Sequence, residues 1–366
     1  METETLLIHS GTENPYGSVG TPIFTTATFA DALRNGYSYT RTSNPTRTAL
    51  ETAVAAAERG RFGFAFSSGL AAEDALFCCF DKIICASDTY GGTKRLLKSR
   101  FVNAAFTDVS DEEQLESALR GSYGALVFAE TPTNPLMRIT DIRRAAEIAH
   151  EHGGYLAIDN TFLSPALQNP LTLGADVCVH SATKYLGGHH DSVAGCVVTN
   201  DEKLAKKLRF MQNTKGSGLS PFECFLIKRG METLCLRMQK HCENARAVFG
   251  YLKTRRDIKK IYYAGDTGSP GYAVNASQSR GAGGMIAFET DPAAAQMLVR
   301  SLKLIAFAES LGGNASLITH PYTQTHASLT EEEKAACGIT EGLLRLSCGT
   351  EAAVDIINDL EQAAGK

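Results

Sequence analysis

The residues of this chain best suited to covalent chemistry lie in Ser181-Ala-Thr-Lys184-Tyr-Leu-Gly-Gly-His-His-Asp191. The preceding apolar run, Asp176-Val-Cys-Val-His180, reads as a buried strand, so Lys184 is delivered at a strand end beside Ser181 and Thr183. An amine there can form a Schiff base with an aldehyde cofactor, and the two hydroxyls can serve a phosphate. In isolation Ser-x-Thr-Lys would equally suit a surface turn. Upstream, however, Tyr155-Leu-Ala-Ile-Asp159-Asn-Thr161-Phe is a second strand-like run, and it ends in a carboxylate. Open α/β sheets bind ligands at the carboxyl ends of their strands. An aspartate at such a place, read alone, also fits a core-edge or capping role. The pair is more specific, because pyridoxal phosphate requires both groups. A lysine takes its aldehyde, and a carboxylate beside the ring nitrogen keeps the pyridinium protonated and electron-poor.

The elements that must carry these residues alternate through the middle of the chain, as in parallel α/β sheets. Strands are expected over residues 61–66, 82–86, 125–130, 155–159, 176–180 and 194–199, and helices over 70–80, 111–120, 141–152 and 201–211. Residues 1–48 read as an extended arm, 49–221 as an α/β cofactor domain and 222–366 as a C-terminal α+β domain. In the last of these, a long amphipathic segment (223–254) precedes a Gly/Ser/Asp-rich loop (264–279), a strand (284–289) and a helix (292–301).

Further motifs extend the pattern. They are Tyr39-Thr-Arg41-Thr-Ser-Asn44-Pro-Thr, Phe66-Ser-Ser-Gly69-Leu70-Ala-Ala, Tyr90-Gly-Gly-Thr93 and Glu130-Thr-Pro-Thr-Asn134-Pro, with Ser310-Leu-Gly-Gly-Asn-Ala-Ser316 and Leu344-Arg345-Leu-Ser-Cys-Gly near the end. In this order, over roughly Thr5 to Glu351, the chain closely resembles the Cys/Met-metabolism family of pyridoxal-phosphate enzymes. These are the cystathionine γ-synthases, cystathionine lyases and homoserine-ester sulfhydrylases. The resemblance implies an aspartate-aminotransferase-like fold (fold type I), with a large, mainly parallel sheet domain and a smaller C-terminal domain. It also implies a homo-oligomer, a dimer of dimers, whose sites are shared between subunits.

Site roles follow residue by residue. Gly69 and Leu70 open a helix after a strand, where backbone N–H groups and the helix dipole favour an anion. The resemblance puts Tyr39 and Arg41 on the phosphate of the neighbouring subunit, a guanidinium fork being suited to two phosphate oxygens. It stacks Tyr90 on the pyridine ring, sets Asn134 beside the cofactor's phenolic oxygen, and includes Thr161 in the Asp159-Asn-Thr-Phe motif. Arg345 is implied to grip the substrate α-carboxylate with Ser316 assisting. Lys184 would hold the cofactor and then move protons as base and acid. For Glu130 an ion pair with Arg41 or Arg95 is an open reading.

Three departures from the family stand out. Ala315 occupies a position where many relatives carry glutamate, His190 replaces the serine of Gly-His-Ser-Asp, and residues 72–108 are shortened. The C-terminal run 323–333 is most like the bacterial cystathionine γ-synthase and lyase branch. The expected chemistry is elimination or replacement at the β or γ carbon of cystathionine-type sulfur amino acids or O-acyl-homoserine. O-acetylhomoserine sulfhydrylase and methionine γ-lyase activities are alternatives. More remote readings are another pyridoxal-phosphate enzyme, such as an aminotransferase or decarboxylase, and a non-catalytic scaffold.

Composition bounds the remaining classes. With 366 residues, 43% hydrophobic and 21% charged, the chain can bury a large core and form two domains. A net charge of -4 and the absence of basic runs interleaved with aromatics carry no nucleic-acid signal. No apolar run approaches the ~18 residues of a membrane span, and the acidic N-terminus lacks a signal-peptide pattern. Ten cysteines without C-x-x-C spacing suit free thiols in a reducing cytoplasm. His189, His190 and Asp191 are sequence neighbours, which rarely face one ion together, so no metal is expected.

Overall fold

The computed structural model describes residues 1–327 and 329–365, so Ser328 of the C-terminal run and the terminal Lys366 lie outside the described residues. Seven strands form the large sheet: β1 (Phe62–Phe66), β2 (Ile83–Ala86), β3 (Ala104–Thr107), β4 (Leu126–Glu130), β5 (Tyr155–Asp159), β6 (Val177–His180) and β7 (Gly195–Thr199). Their order is β1-β7-β6-β5-β4-β2-β3. Only β7 runs against the others. The carboxyl ends of β1, β2, β4, β5 and β6 therefore open on one edge.

Alternation decides what each face of this sheet buries. On β4, Leu126 and Phe128 join a core with Leu76 and Phe77 of the helix Gly69–Phe77. Val127 and Ala129 face the opposite way, toward Ile142, Ala145 and Ile148 of the helix Ile142–Glu151. A sheet covered on both faces needs near-continuous apolar strands, and β4 is buried at every position. Each large aliphatic or aromatic side chain so buried contributes roughly 1.5–3 kcal/mol.

The smaller sheet comprises β8 (Lys260–Tyr262), β9 (Met285–Glu289), β10 (Ala306–Phe307), β11 (Leu317–Thr319) and β12 (Leu343–Ser347), in the order β10-β11-β12-β9-β8. On β12, Leu344 and Leu346 enter a core with Val248, Leu252, Ile356 and Leu360 of the covering helices Leu234–Thr254 and Ala353–Ala363. By the same alternation Arg345 points the other way, into the molecule.

Several boundaries differ from the sequence expectation for identifiable reasons. Asp111, Asp141 and Asp201 are N-caps rather than first helical residues, each accepting a backbone N–H from the first turn. The helix expected over 70–80 stops at Phe77, and the chain tightens through Cys79 N–H to Leu76 O and Phe80 N–H to Phe77 O. The 223–254 segment is two helices, Pro221–Met231 and Leu234–Thr254. The buried Arg237 secures their junction by donating to the Gly230 and Tyr185 carbonyls. β3 gives no clear pattern because it is an edge strand, paired on one side and only partly buried. The helix Gly91–Arg100 after Tyr90 and the helix Tyr272–Gln278, inside the Gly/Ser/Asp-rich loop, were not expected. Within the arm the chain forms helices at Thr3–His9 and Ala32–Asn35, and the helix Pro45–Ala57 runs through position 48. All ten cysteines are free, and no helix among the described residues is long and apolar enough to cross a membrane.

A buried polar network ties the strand ends together. The Glu58 carboxylate accepts from Asn160 Nδ2 at 2.8 Å and from Asn169 Nδ2 at 3.3 Å, and lies 2.7 Å from His180 Nε2. Asn160 follows Asp159, and His180 precedes Ser181. Glu58→Ala leaves those donors without their acceptor in a dry interior and is expected to cost about 3 kcal/mol. Urea unfolding at fixed protein concentration, compared with Glu58→Gln, measures it.

Candidate active site

A cavity of about 350 Å³ opens at the carboxyl edge of the large sheet and is closed by the smaller one. Of the residues singled out from the sequence, Gly69, Leu70, Tyr90, Asn134, Asp159, Thr161, Ser181, Thr183, Lys184 and Arg345 all line it. Tyr39, Arg41 and Ser316 do not.

The loops after β1 and β6 meet at its anion-suited end. Ser68 caps the helix Gly69–Phe77 by accepting from Ala71 N at 3.0 Å, and Gly69 and Leu70, whose N–H groups have no acceptor within the helix, line the cavity. A Cβ on Gly69 would lie 3.0 Å from Ser181 Cβ, so glycine is what lets the two loops approach. Thr161 joins the β5 and β6 ends, its hydroxyl accepting from Ser181 N at 2.8 Å while its own N–H donates to Asp159 Oδ1 at 2.8 Å. The Thr183 hydroxyl is already engaged, donating to Ala194 O at 3.1 Å and accepting from Ala194 N at 3.0 Å. Its first role is therefore to pin the Lys184 loop to the start of β7.

Lys184 Nζ donates to Ser310 Oγ at 3.0 Å. Burial, reinforced by the Arg345 charge and opposed by Glu309, lowers its amine to about 8. Ser310, held at a φ of 99°, was missed as a lysine partner although it opens the motif that ends in Ser316. Arg345 is 2% exposed and donates to Asn134 Oδ1 at 2.7 Å, Ser310 O at 3.0 Å and Thr319 Oγ1 at 3.3 Å, while its buried Nε has no partner among the described residues. Asn134 thus orients the guanidinium.

Two expectations are corrected in detail. Ser316 is turned away from Arg345: its hydroxyl donates to Glu351 Oε2 at 2.9 Å and accepts from Gly349 N at 2.8 Å, which uses its hydrogen-bonding capacity in a turn. Glu130 pairs with neither Arg41 nor Arg95. It accepts from Thr89 Oγ1 at 2.8 Å, Tyr90 N at 2.6 Å and Asn134 N at 3.3 Å, so it anchors the Tyr90 and Asn134 loops. Burial and the Asp159 charge raise it to about 8, and burial likewise raises Asp159. Tyr90 is raised by burial first and by Glu309 second. His190 Nε2 lies 3.4 Å from Ala315 O, so two of the family departures adjoin one another outside the cavity. Glu58, Cys178 and His180 bring three ligand-type atoms within 4.8 Å of one another, but Glu58 and His180 are engaged in the polar network described above and Cys178 Sγ lies 3.4 Å from His180 Nε2.

The arrangement fits pyridoxal phosphate. A helix N-terminus with Ser181 suits the phosphate, a buried carboxylate the ring nitrogen, a desolvated lysine the aldehyde, and an unpartnered guanidinium nitrogen awaits an anion. Together, the seven-stranded sheet, the second sheet closing its edge, and this lysine–aspartate pair define a fold type I pyridoxal-phosphate enzyme. The sequence profile described as Cys/Met metabolism PLP-dependent enzyme matches residues 4–364, and the chain belongs to that family. It is 42% identical to a cystathionine γ-lyase of Bacillus subtilis and 43% identical to a cystathionine β-lyase of Lactococcus lactis, each alignment covering 99% of both chains. It also superimposes on the structure of cystathionine γ-synthase from Xanthomonas oryzae in complex with cystathionine, with a TM-score of 0.96 at 40% identity, covering 100% of this chain and 98% of that one.

The lowered Lys184 amine yields a pH prediction. Only the neutral amine attacks an aldehyde, so cofactor capture by the cofactor-free protein should rise with pH and level off above about 8. An ordinary lysine would still be gaining near 10. Stopped-flow absorbance after mixing with pyridoxal phosphate reads the profile.

Proposed function

We propose that the protein makes or breaks carbon–sulfur bonds at the β or γ carbon of cystathionine-type amino acids. The observation that carries this reading is the placement of Lys184 Nζ, held by Ser310, in one cavity with the Arg345 guanidinium. An α-amino acid whose carboxylate sits on Arg345 presents its Cα to Lys184. Pyridoxal phosphate supplies the aldehyde and the electron-accepting ring. Lys184, neutral at mildly alkaline pH, takes the proton from Cα and returns one further along the side chain, and Tyr90 Oη is the second proton carrier on the cavity wall. Asp159, buried in the cavity lining, would face the ring nitrogen of the bound cofactor and keep that ring electron-poor. Glu309 offers the cavity wall a carboxylate for a distal ammonium. The similarity to lyases of both types and to a synthase supports the sulfur substrate class.

Incubating the purified protein with cystathionine, methionine or cysteine, or with O-acetyl- or O-succinyl-homoserine plus a thiol, tests the reading. Mass analysis should find cystathionine cleaved, or formed from the ester and cysteine. Turnover confined to transamination or decarboxylation would overturn it.

The active form is proposed to be a homo-oligomer in which Tyr39 and Arg41 serve the neighbouring subunit. In one chain Tyr39 is 47% exposed, and no residue from Ser10 to Ser43 is buried. The arm also exposes Tyr16, Val19 and Leu33, which a partner subunit would cover. Mixing Arg41→Ala subunits with Lys184→Ala subunits should recover activity well above either parent, since one hybrid site then has both residues. No recovery despite demonstrated subunit exchange would refute a shared site.

A further inference from the structure

Asp159, Glu130 and Glu73 all line the cavity; Asp159 accepts from Thr161 N, and Glu130 from Thr89 Oγ1 and Tyr90 N. Glu73 lies one helical turn beyond Gly69 in the helix Gly69–Phe77, on the same helix face, with 4% exposure. Among the described residues its buried Oε2 makes no hydrogen bond of ordinary geometry, and neither does the hydroxyl of Thr93 on the adjoining helix Gly91–Arg100. Burial first, and then the Asp159 charge, push its carboxyl well above the usual range, with Thr93 opposing and Glu130 adding to the rise. An ionised carboxylate this deep, with the Thr93 hydroxyl as its nearby donor and the Asp159 carboxylate in the same cavity, is disfavoured, whereas a protonated one becomes a donor itself.

We propose that Glu73 is a positioning residue, a neutral acid whose O–H holds Asp159 and leaves one negative charge to face the ring nitrogen of bound pyridoxal phosphate. The inference deepens the reading of this site as a pyridoxal-phosphate centre. Two ionised carboxylates would overcharge a site meant for one pyridinium, and an apolar residue would leave the Asp159 carboxylate less well held. Glutamine keeps the shape and a neutral donor. Leucine keeps the bulk and removes the donor.

The test compares wild type, Glu73→Gln and Glu73→Leu, with folding checked by circular dichroism. Infrared difference spectra of the cofactor-free proteins should show a protonated-carboxyl stretch in wild type that is missing in Glu73→Gln. Equilibrium dialysis with pyridoxal phosphate should find Glu73→Gln within about threefold of wild type and Glu73→Leu weakened by about tenfold or more, the scale of a hydrogen bond to a charged group. The nitrogen NMR signal of ring-labelled cofactor should stay at the protonated position in Glu73→Gln and move off it in Glu73→Leu. Absence of a carboxyl band assignable to residue 73 would overturn the proposal. So would wild-type affinity and ring-nitrogen shift in Glu73→Leu, or equal damage in both variants. If Glu73→Leu does not fold, the infrared band and the nitrogen shift of Glu73→Gln decide alone. Failure of wild type itself to bind pyridoxal phosphate would instead sink the cofactor assignment.

Discussion

The structure turns on keeping Lys184 in a cavity too dry, and too close to the Arg345 charge, for its amine to hold a proton at the usual strength. Removing a cation from water is costly, and a second cation nearby adds to the cost. The fold keeps the nitrogen available by giving it a neutral partner, the Ser310 hydroxyl. Each wall of the cavity contributes to that balance. The β6 end supplies the lysine, β12 supplies the arginine, and the loop leading into β11 supplies the serine.

Those walls come from different layers of the molecule, so the site depends on how the two sheets meet. Alternation along β12 buries Leu344 and Leu346 under helices and thereby aims Arg345 at the large sheet. Alternation along β4 buries Leu126 and Phe128 on one side and Val127 and Ala129 on the other, which leaves Glu130 at the strand end to fasten the Tyr90 and Asn134 loops. The Glu58 network applies the same logic at the other strand ends, holding Asn160 and His180 beside Asp159 and Ser181. Polar groups at strand ends serve as fasteners here because the strands themselves are packed on both faces.

Residues 72–108 fit this scheme. β2 and β3 lie at one side of the large sheet, with β3 at its edge, and the helix Gly69–Phe77 leads to them through a tight turn. The same helix carries Glu73 into the cavity, where it joins Asp159, Glu130 and Glu309 in the lining.

Strand-end chemistry was legible in the sequence because it depends on local order. An apolar run followed by Asp159 or Lys184 specifies which residue emerges at the sheet edge, and Ser68-Gly69 specifies a helix start. Arg345 was legible as a motif. Its orientation was not, since that follows from which face of β12 the helices cover. The partners of Glu130, the turning away of Ser316 and the burial of Glu73 were likewise decided by tertiary structure. A carboxylate or hydroxyl reads the same in sequence whether its donor is a distant guanidinium, a neighbouring backbone N–H or nothing at all. Which donors reach it, and how much water remains, are set only when segments far apart in the chain pack together.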